Sequence, residues 1–142
     1  YEKTDQNNPN KESYKDQFFD LEDLQVISNS TFPNASVKIR KGDEIYQASS
    51  VGSGPIDALY SAIADVTRIE VKLVAYNISS VSRGKEALGK VKIIIEHEGE
   101  KYIAKAADTD ILKASAFAYI NAINSIIVAQ IAPQPQSEKA SV

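Results

Sequence analysis

Gly52-Ser53-Gly54-Pro55-Ile56-Asp57-Ala58-Leu59-Tyr60 decides the fold. Ser53 or Gly54 suits a helix N-cap, and Pro55 suits the first helical position, where a missing N–H costs nothing. Asp57 falls in the first turn, where the helix dipole favours a carboxylate. Ile56, Leu59, Ile63 and Val66 then recur at helical spacing, so one apolar stripe faces a core.

Upstream the period changes. Val37-Lys38-Ile39-Arg40 alternates as a half-buried strand does, Lys41-Gly42-Asp43-Glu44 is turn chemistry, and Ile45 to Ser49 returns. Leu21 to Ser28, with Leu24, Val26 and Ile27, predicts one strand more. The unit is βββα. Downstream the programme repeats. Val71 to Val81 and Val91 to Ile95 predict strands, Glu98 to Lys101 a turn, and Tyr102 to Ala106 a strand. Asp108-Thr109-Asp110 then offers caps for a helix from Ile111 to about Gln130 that is apolar nearly all round. A spacing of roughly 57 residues pairs Gly42 with Gly99, Tyr60 with Phe117, Ile63 with Ile120 and Val66 with Ile123. The expected class is α+β: two βββα units, 19–67 and 68–131, related by a pseudo-twofold axis with a cleft between them. Residues 1–18 and 132–142 are polar and aperiodic, read as a linker from an absent upstream domain and a flexible tail.

Composition narrows the chemistry. The 142 residues suit one domain. The net charge of −3 and pI of about 5.2 argue against nucleic acid. With no cysteine and one histidine, His97, neither thiolate chemistry nor a multi-imidazole metal site can be built from this chain. His97 beside its turn predicts an exposed position. No uninterrupted apolar run reaches the ~20 residues of a membrane span. The chain is expected to be non-catalytic. Gly52-Ser53-Gly54-Pro55 is neither a phosphate-binding loop with a Gly-Lys-Ser/Thr ending nor a full dinucleotide fingerprint. As a glycine-led helix start it can still present N–H groups to a carboxylate. Arg83-Gly84-Lys85-Glu86 reads as a solvated loop or a ligand-dependent flap.

Four motifs in order carry a family resemblance: Gly52 to Tyr60; Leu73-Val74-Ala75-Tyr76-Asn77-Ile78 with Ser80-Val81; Gly84 to Val91; and Asp108 to Ala116 followed by Tyr119-Ile120-Asn121-Ala122-Ile123-Asn124. From about Phe19 to Ile127 the chain resembles the C-terminal regulatory domain of the 2-isopropylmalate synthase and citramalate synthase family. The resemblance implies an allosteric, homodimer-forming, cytoplasmic domain that binds leucine or, in the citramalate branch, isoleucine. A free-standing amino-acid-binding dimerisation module is the alternative of another class. It further implies an absent upstream catalytic domain that uses a divalent metal and acetyl-CoA, with no cofactor in this segment. By motif it places Ser53, Gly54, Ile56, Asp57, Leu73, Tyr76, Ile78, Ser80, Ala87, Gly89, Val91, Ala107, Thr109 and Asp110 at the effector site. Ala104-Lys105-Ala106-Ala107, where relatives often carry glycines, and Lys113, where they are often acidic, depart from the pattern.

Overall fold

A computed structural model describes residues 16–28, 31–83 and 86–131, with backbone only for 81–83 and 86. The expected linker over residues 1–15, the tail over 132–142, and Gly84 and Lys85 of the expected flap lie outside the described residues. Eight elements follow one another: β1 (Phe19–Ile27), β2 (Asn34–Lys41), β3 (Glu44–Val51), α1 (Pro55–Thr67), β4 (Lys72–Arg83), β5 (Glu86–His97), β6 (Glu100–Asp108) and α2 (Ile111–Ile131). The strands form two three-stranded antiparallel sheets, β1-β2-β3 and β4-β5-β6, each followed by a helix. This is the duplicated βββα architecture of an α+β fold.

The duplication has a period of 56, one less than sequence pairing gives. α1 and α2 begin at Pro55 and Ile111, with Gly54 capping the first and Asp110 the second. Shifting the buried set of α1 (Ala58, Leu59, Tyr60, Ala62, Ile63, Thr67) by that period lands on Ala114, Ser115, Ala116, Ala118, Tyr119 and Ile123, all buried. The two hairpin glycines misled the alignment, because they occupy different turn positions. Gly42 is the first loop residue between Lys41 and Glu44, with φ 63°. Gly99 is the second between His97 and Glu100, with φ 84°, after Glu98 at φ 52°. Both loops use left-handed backbone, which matches strand twist in two-residue hairpins. Each first strand also carries one irregularity, between Leu21 and Asp23 in β1 and between Leu73 and Ala75 in β4.

α1 packs on β2 and β3, while α2 packs on β5, β6 and also β1, and the helices touch each other. The core joins Val37 and Ile39 of the first sheet, Val91, Ile93 and Ile95 of the second, and Leu59, Ile63, Ile123 and Ile126 of the helices. Each such side chain contributes about 1.5–3 kcal/mol by leaving water. β5 runs further toward its N-terminus than its apolar pattern suggests, through Gly89. The reason is steric: a Cβ there would lie 2.2 Å from Ile111 Cδ1, so glycine lets the start of α2 close onto the strand.

α2, with 21 residues, is long and apolar enough by composition to cross a membrane, which qualifies the expectation drawn from uninterrupted runs. Ten of its residues are instead buried within the fold. Ile120, Ile123, Ile126 and Ile127 are among them, no more than 5% exposed. The helix that is apolar nearly all round is thus packed against its own sheet, β1 and α1 together.

Candidate functional site

Three tyrosines from three elements meet where the units join. Tyr60 of α1 and Tyr119 of α2 stand edge to face with centroids 4.5 Å apart, and Tyr76 of β4 meets Tyr60 at 6.3 Å and 79°. Their bodies are apolar and their hydroxyls need partners. Ser115 supplies two. Tyr60 Oη donates to the Ser115 carbonyl at 2.8 Å, and Tyr76 Oη shares a hydrogen bond of 2.6 Å with Ser115 Oγ. Burial first, then the neighbouring Tyr76 and Tyr119, holds the Tyr60 phenol far above the ordinary tyrosine range. Burial pushes Tyr119 up to about 12. Both are neutral at neutral pH.

The tyrosines wall a cavity of about 400 Å³, completed by Ile56, Asp57, Ser61, Ala64, Val71 and Leu73. The size and lining suit a small ligand: apolar walls with a few directed polar groups. Among those groups is the Asp57 carboxylate. Its Oδ2 accepts from Ser53 N–H at 2.9 Å and Ser53 Oγ at 3.2 Å, which fixes the glycine-led loop to the first turn of α1. The helix start is therefore part acceptor and part donor. Pro55 has no N–H, and Ala58 N–H is taken by Gly54 O at 2.9 Å. The N–H groups of Ile56 and Asp57, both cavity-lining residues, remain as the orphan donors of the first turn. The arrangement sets N–H donors and a carboxylate of the first turn of α1 beside an apolar slot completed by Val71 and Leu73.

Of the residues expected at the site, Ile56, Asp57, Leu73 and Tyr76 line this cavity. Ser53 stands behind it, bonded to Asp57. Gly54 faces open space and does not line it. The others gather at the far end of the second sheet. Ser80 pairs with Gly89 and Gly89 with Asp108; Ile78 pairs with Val91 and Val91 with Ala106. Leu73 and Ile78 are five residues apart, roughly 16 Å along a strand. Ile78, Ser80, Ala87, Ala107, Thr109 and Asp110 are exposed, and Val91 is buried in the core. At the α2 start, as at α1, one oxygen of each carboxylate caps the turn: Asp108 Oδ1 accepts from Asp110 N–H, and Asp110 Oδ1 accepts from Leu112 N–H, both at 2.9 Å. Within one chain, then, the set divides into a cavity group and an end-of-sheet group.

Tyr60, Ser61, Ala64, Val71, Tyr119 and Ser115 are absent from the sequence expectation. Tyr60 and Tyr119 stand in the motifs of the resemblance but not in its site set, and both are buried. The available signal was that a buried tyrosine hydroxyl must find a partner. His97 is corrected too. Its side chain is only 12% exposed, and Nδ1 lies 2.8 Å from the carbonyl of Glu70, tying the β5-β6 hairpin to the α1-β4 connection.

Fold and cavity together define a class: a duplicated α+β domain with a small-ligand cavity where its two units meet. A protein-family model for the LeuA allosteric (dimerisation) domain matches residues 6–127. The chain is 48% identical over 117 residues to a 2-isopropylmalate synthase of Geobacillus sp. (strain Y412MC10), covering 82% of this chain and 23% of that protein. It is 37% identical over 123 residues to one of Heliobacterium modesticaldum, covering 86% and 24%. Against one of Erwinia tasmaniensis it is 36% identical over 134 residues, covering 94% and 26%. The chain thus spans about a quarter of the length of these relatives. It belongs to the LeuA allosteric (dimerisation) domain family.

Proposed function

We propose that the chain is the regulatory segment of a cytoplasmic 2-isopropylmalate synthase and that its junction cavity takes leucine as feedback effector. The observation that carries this is the first turn of α1. Asp57 can accept the ammonium group, the N–H groups of Ile56 and Asp57 can donate to the carboxylate, and Ile56, Val71 and Leu73 offer the apolar slot. The named relatives favour leucine over the isoleucine of the citramalate branch. A branched four-carbon side chain gains only ~2–3 kcal/mol by burial, so discrimination between the two rests on shape.

In this reading the condensation of acetyl-CoA with a 2-oxo acid, with its divalent metal, belongs to the catalytic part of the enzyme. Leucine inhibits because it binds one arrangement of regulatory and catalytic parts better than another; only such a difference can shift the balance. The segment acts as a homodimer. Thermal unfolding of the 142-residue chain with leucine, isoleucine or valine tests the effector. Leucine at a hundredfold excess over its dissociation constant should stabilise by about 2.7 kcal/mol. A shift with isoleucine alone would replace this reading by the citramalate one. No shift with any of the three at millimolar concentration would remove the sensing reading.

A further inference from the structure

We propose that Ser115 is the joint that couples the cavity to the second unit: a positioning residue that never lines the cavity, yet through which occupancy is passed to α2. The proposal deepens the effector reading and rests on it for its ligand arm alone.

Ser115 is fully buried, one of two buried polar side chains among the described residues. It sits in α2, which packs on the second sheet and β1. Its two polar groups face two different elements. The carbonyl receives the Tyr60 hydroxyl from α1, and Oγ holds the Tyr76 hydroxyl of β4. Tyr119, one turn along α2, closes on the Tyr60 ring. Rings of Tyr60, Tyr76 and Tyr119 form the cavity wall, while Ser115 lies behind them. The consequence is mechanical. A ligand pressing on the wall meets two rings, those of Tyr60 and Tyr76, whose far ends are pinned at one residue. A close-packed interior leaves little room for them to yield independently. Any rotation of Tyr60 or Tyr76 must therefore either break a buried hydrogen bond or carry the first turns of α2 with it. A buried polar network with every member satisfied holds one geometry, and the loss of one member releases it.

The period of 56 sharpens the point. The residue equivalent to Ser115 in the first unit is Leu59, and the equivalent of Tyr60 is Ala116. Among the described residues the polar joint occurs once, on the side where the cavity is.

Backbone hydrogen exchange on the 142-residue chain provides the test, with Ser115→Ala, Tyr76→Phe and the double variant. Ser115→Ala keeps the carbonyl that holds Tyr60 and removes only the partner of Tyr76. Without ligand, either single variant should speed exchange in β4 and in residues 58–62 of α1 as well as in α2. The double variant should exchange no faster than the singles, because both remove one bond. Leucine should slow exchange at residues 112–115, which line no part of the cavity, in the unsubstituted chain. In Ser115→Ala it should bind about three- to tenfold more weakly, the cost of ordering one released side chain on binding, and slow exchange in α1, in β4 and around Tyr119 but not at residues 112–115. Effects of Ser115→Ala confined to α2, or additive effects of the two substitutions, would overturn the joint. So would a leucine response at residues 112–115, a turn away from the Tyr119 ring that meets the ligand directly, that survives in Ser115→Ala. If no amino acid binds the unsubstituted chain, the effector reading fails, while the ligand-free exchange still decides for or against the joint.

Discussion

Phe19 and Asn124 exchange two hydrogen bonds across 105 residues of chain. The Phe19 N–H donates to Asn124 Oδ1, and Asn124 Nδ2 donates to the Phe19 carbonyl, both at 2.9 Å. A side-chain amide thus completes the edge of β1 as a neighbouring strand would. It fixes the first strand of one unit to the helix of the other, beside the buried ring of Phe19. Asn124→Leu should leave that peptide group half-buried and unpaired, at a cost of about 1–3 kcal/mol. A urea midpoint unchanged from the unsubstituted chain would show that the clamp contributes nothing.

Gly52 and Gly54 should respond oppositely to substitution. A Cβ on Gly52 would lie 2.5 Å from the backbone nitrogen of Ala58, which cannot yield without moving α1. Gly52→Ala is therefore expected to destabilise by roughly 1–3 kcal/mol. Gly54 has nothing within 4 Å and extended backbone with φ −155°. Gly54→Asp should fold and gain a few tenths of a kcal/mol from capping. Its charge would sit beside the first-turn N–H groups, so leucine should bind it more weakly. Thermal unfolding with and without leucine separates the two.

Much of the architecture was legible because period and punctuation agree. Alternation in Val37 to Arg40, Pro55 at a helix start and Asp110 before Ile111 each report a local physical choice. What escaped depends on contacts between distant residues. The repeat was off by one because Gly42 and Gly99 look alike in sequence and take different turn positions. His97 looked exposed because its partner, the Glu70 carbonyl, lies 27 residues away. At the site, motif resemblance named Asp57 and Tyr76, but nothing local says that Ser115 receives both Tyr60 and Tyr76.

Alkaline pH should unfold the chain early. Tyr119 titrates near 10 when unfolded and near 12 when folded. Its neutral form is the one the folded state favours. Its contribution is therefore fully present below pH 10, and stability falls as pH rises from about 10 to 12, by roughly 2–3 kcal/mol from this group alone. Tyr60 acts in the same direction. Tyrosinate absorbance and circular dichroism followed together should show these two phenols ionising with unfolding. Ionisation of all tyrosines near pH 10 with the fold intact would contradict this.

The dimer should use the inner face of β4. Leu73 and Ile78 stand opposite the buried Ile95 and Val91, yet are 42% and 51% exposed. Residues directly opposite in a sheet share a face, and α2 covers β5 and β6 rather than β4. Light scattering should report a dimer, and Ile78→Arg should report a monomer. A monomer at high concentration without any substitution would count against this.

The central claim is that the first turn of α1 recognises a zwitterionic aliphatic amino acid, and calorimetric titration of leucine into the unsubstituted chain and into Asp57→Asn tests it most directly. Asparagine keeps an oxygen for Ser53 and loses only the charge that meets the ammonium group. The account predicts saturable binding to the unsubstituted chain and affinity at least about tenfold lower in Asp57→Asn, as expected when a charge-assisted hydrogen bond worth about 1.5–3 kcal/mol is lost. Equal affinity for the two, or no binding heat with leucine in the unsubstituted chain, would contradict it.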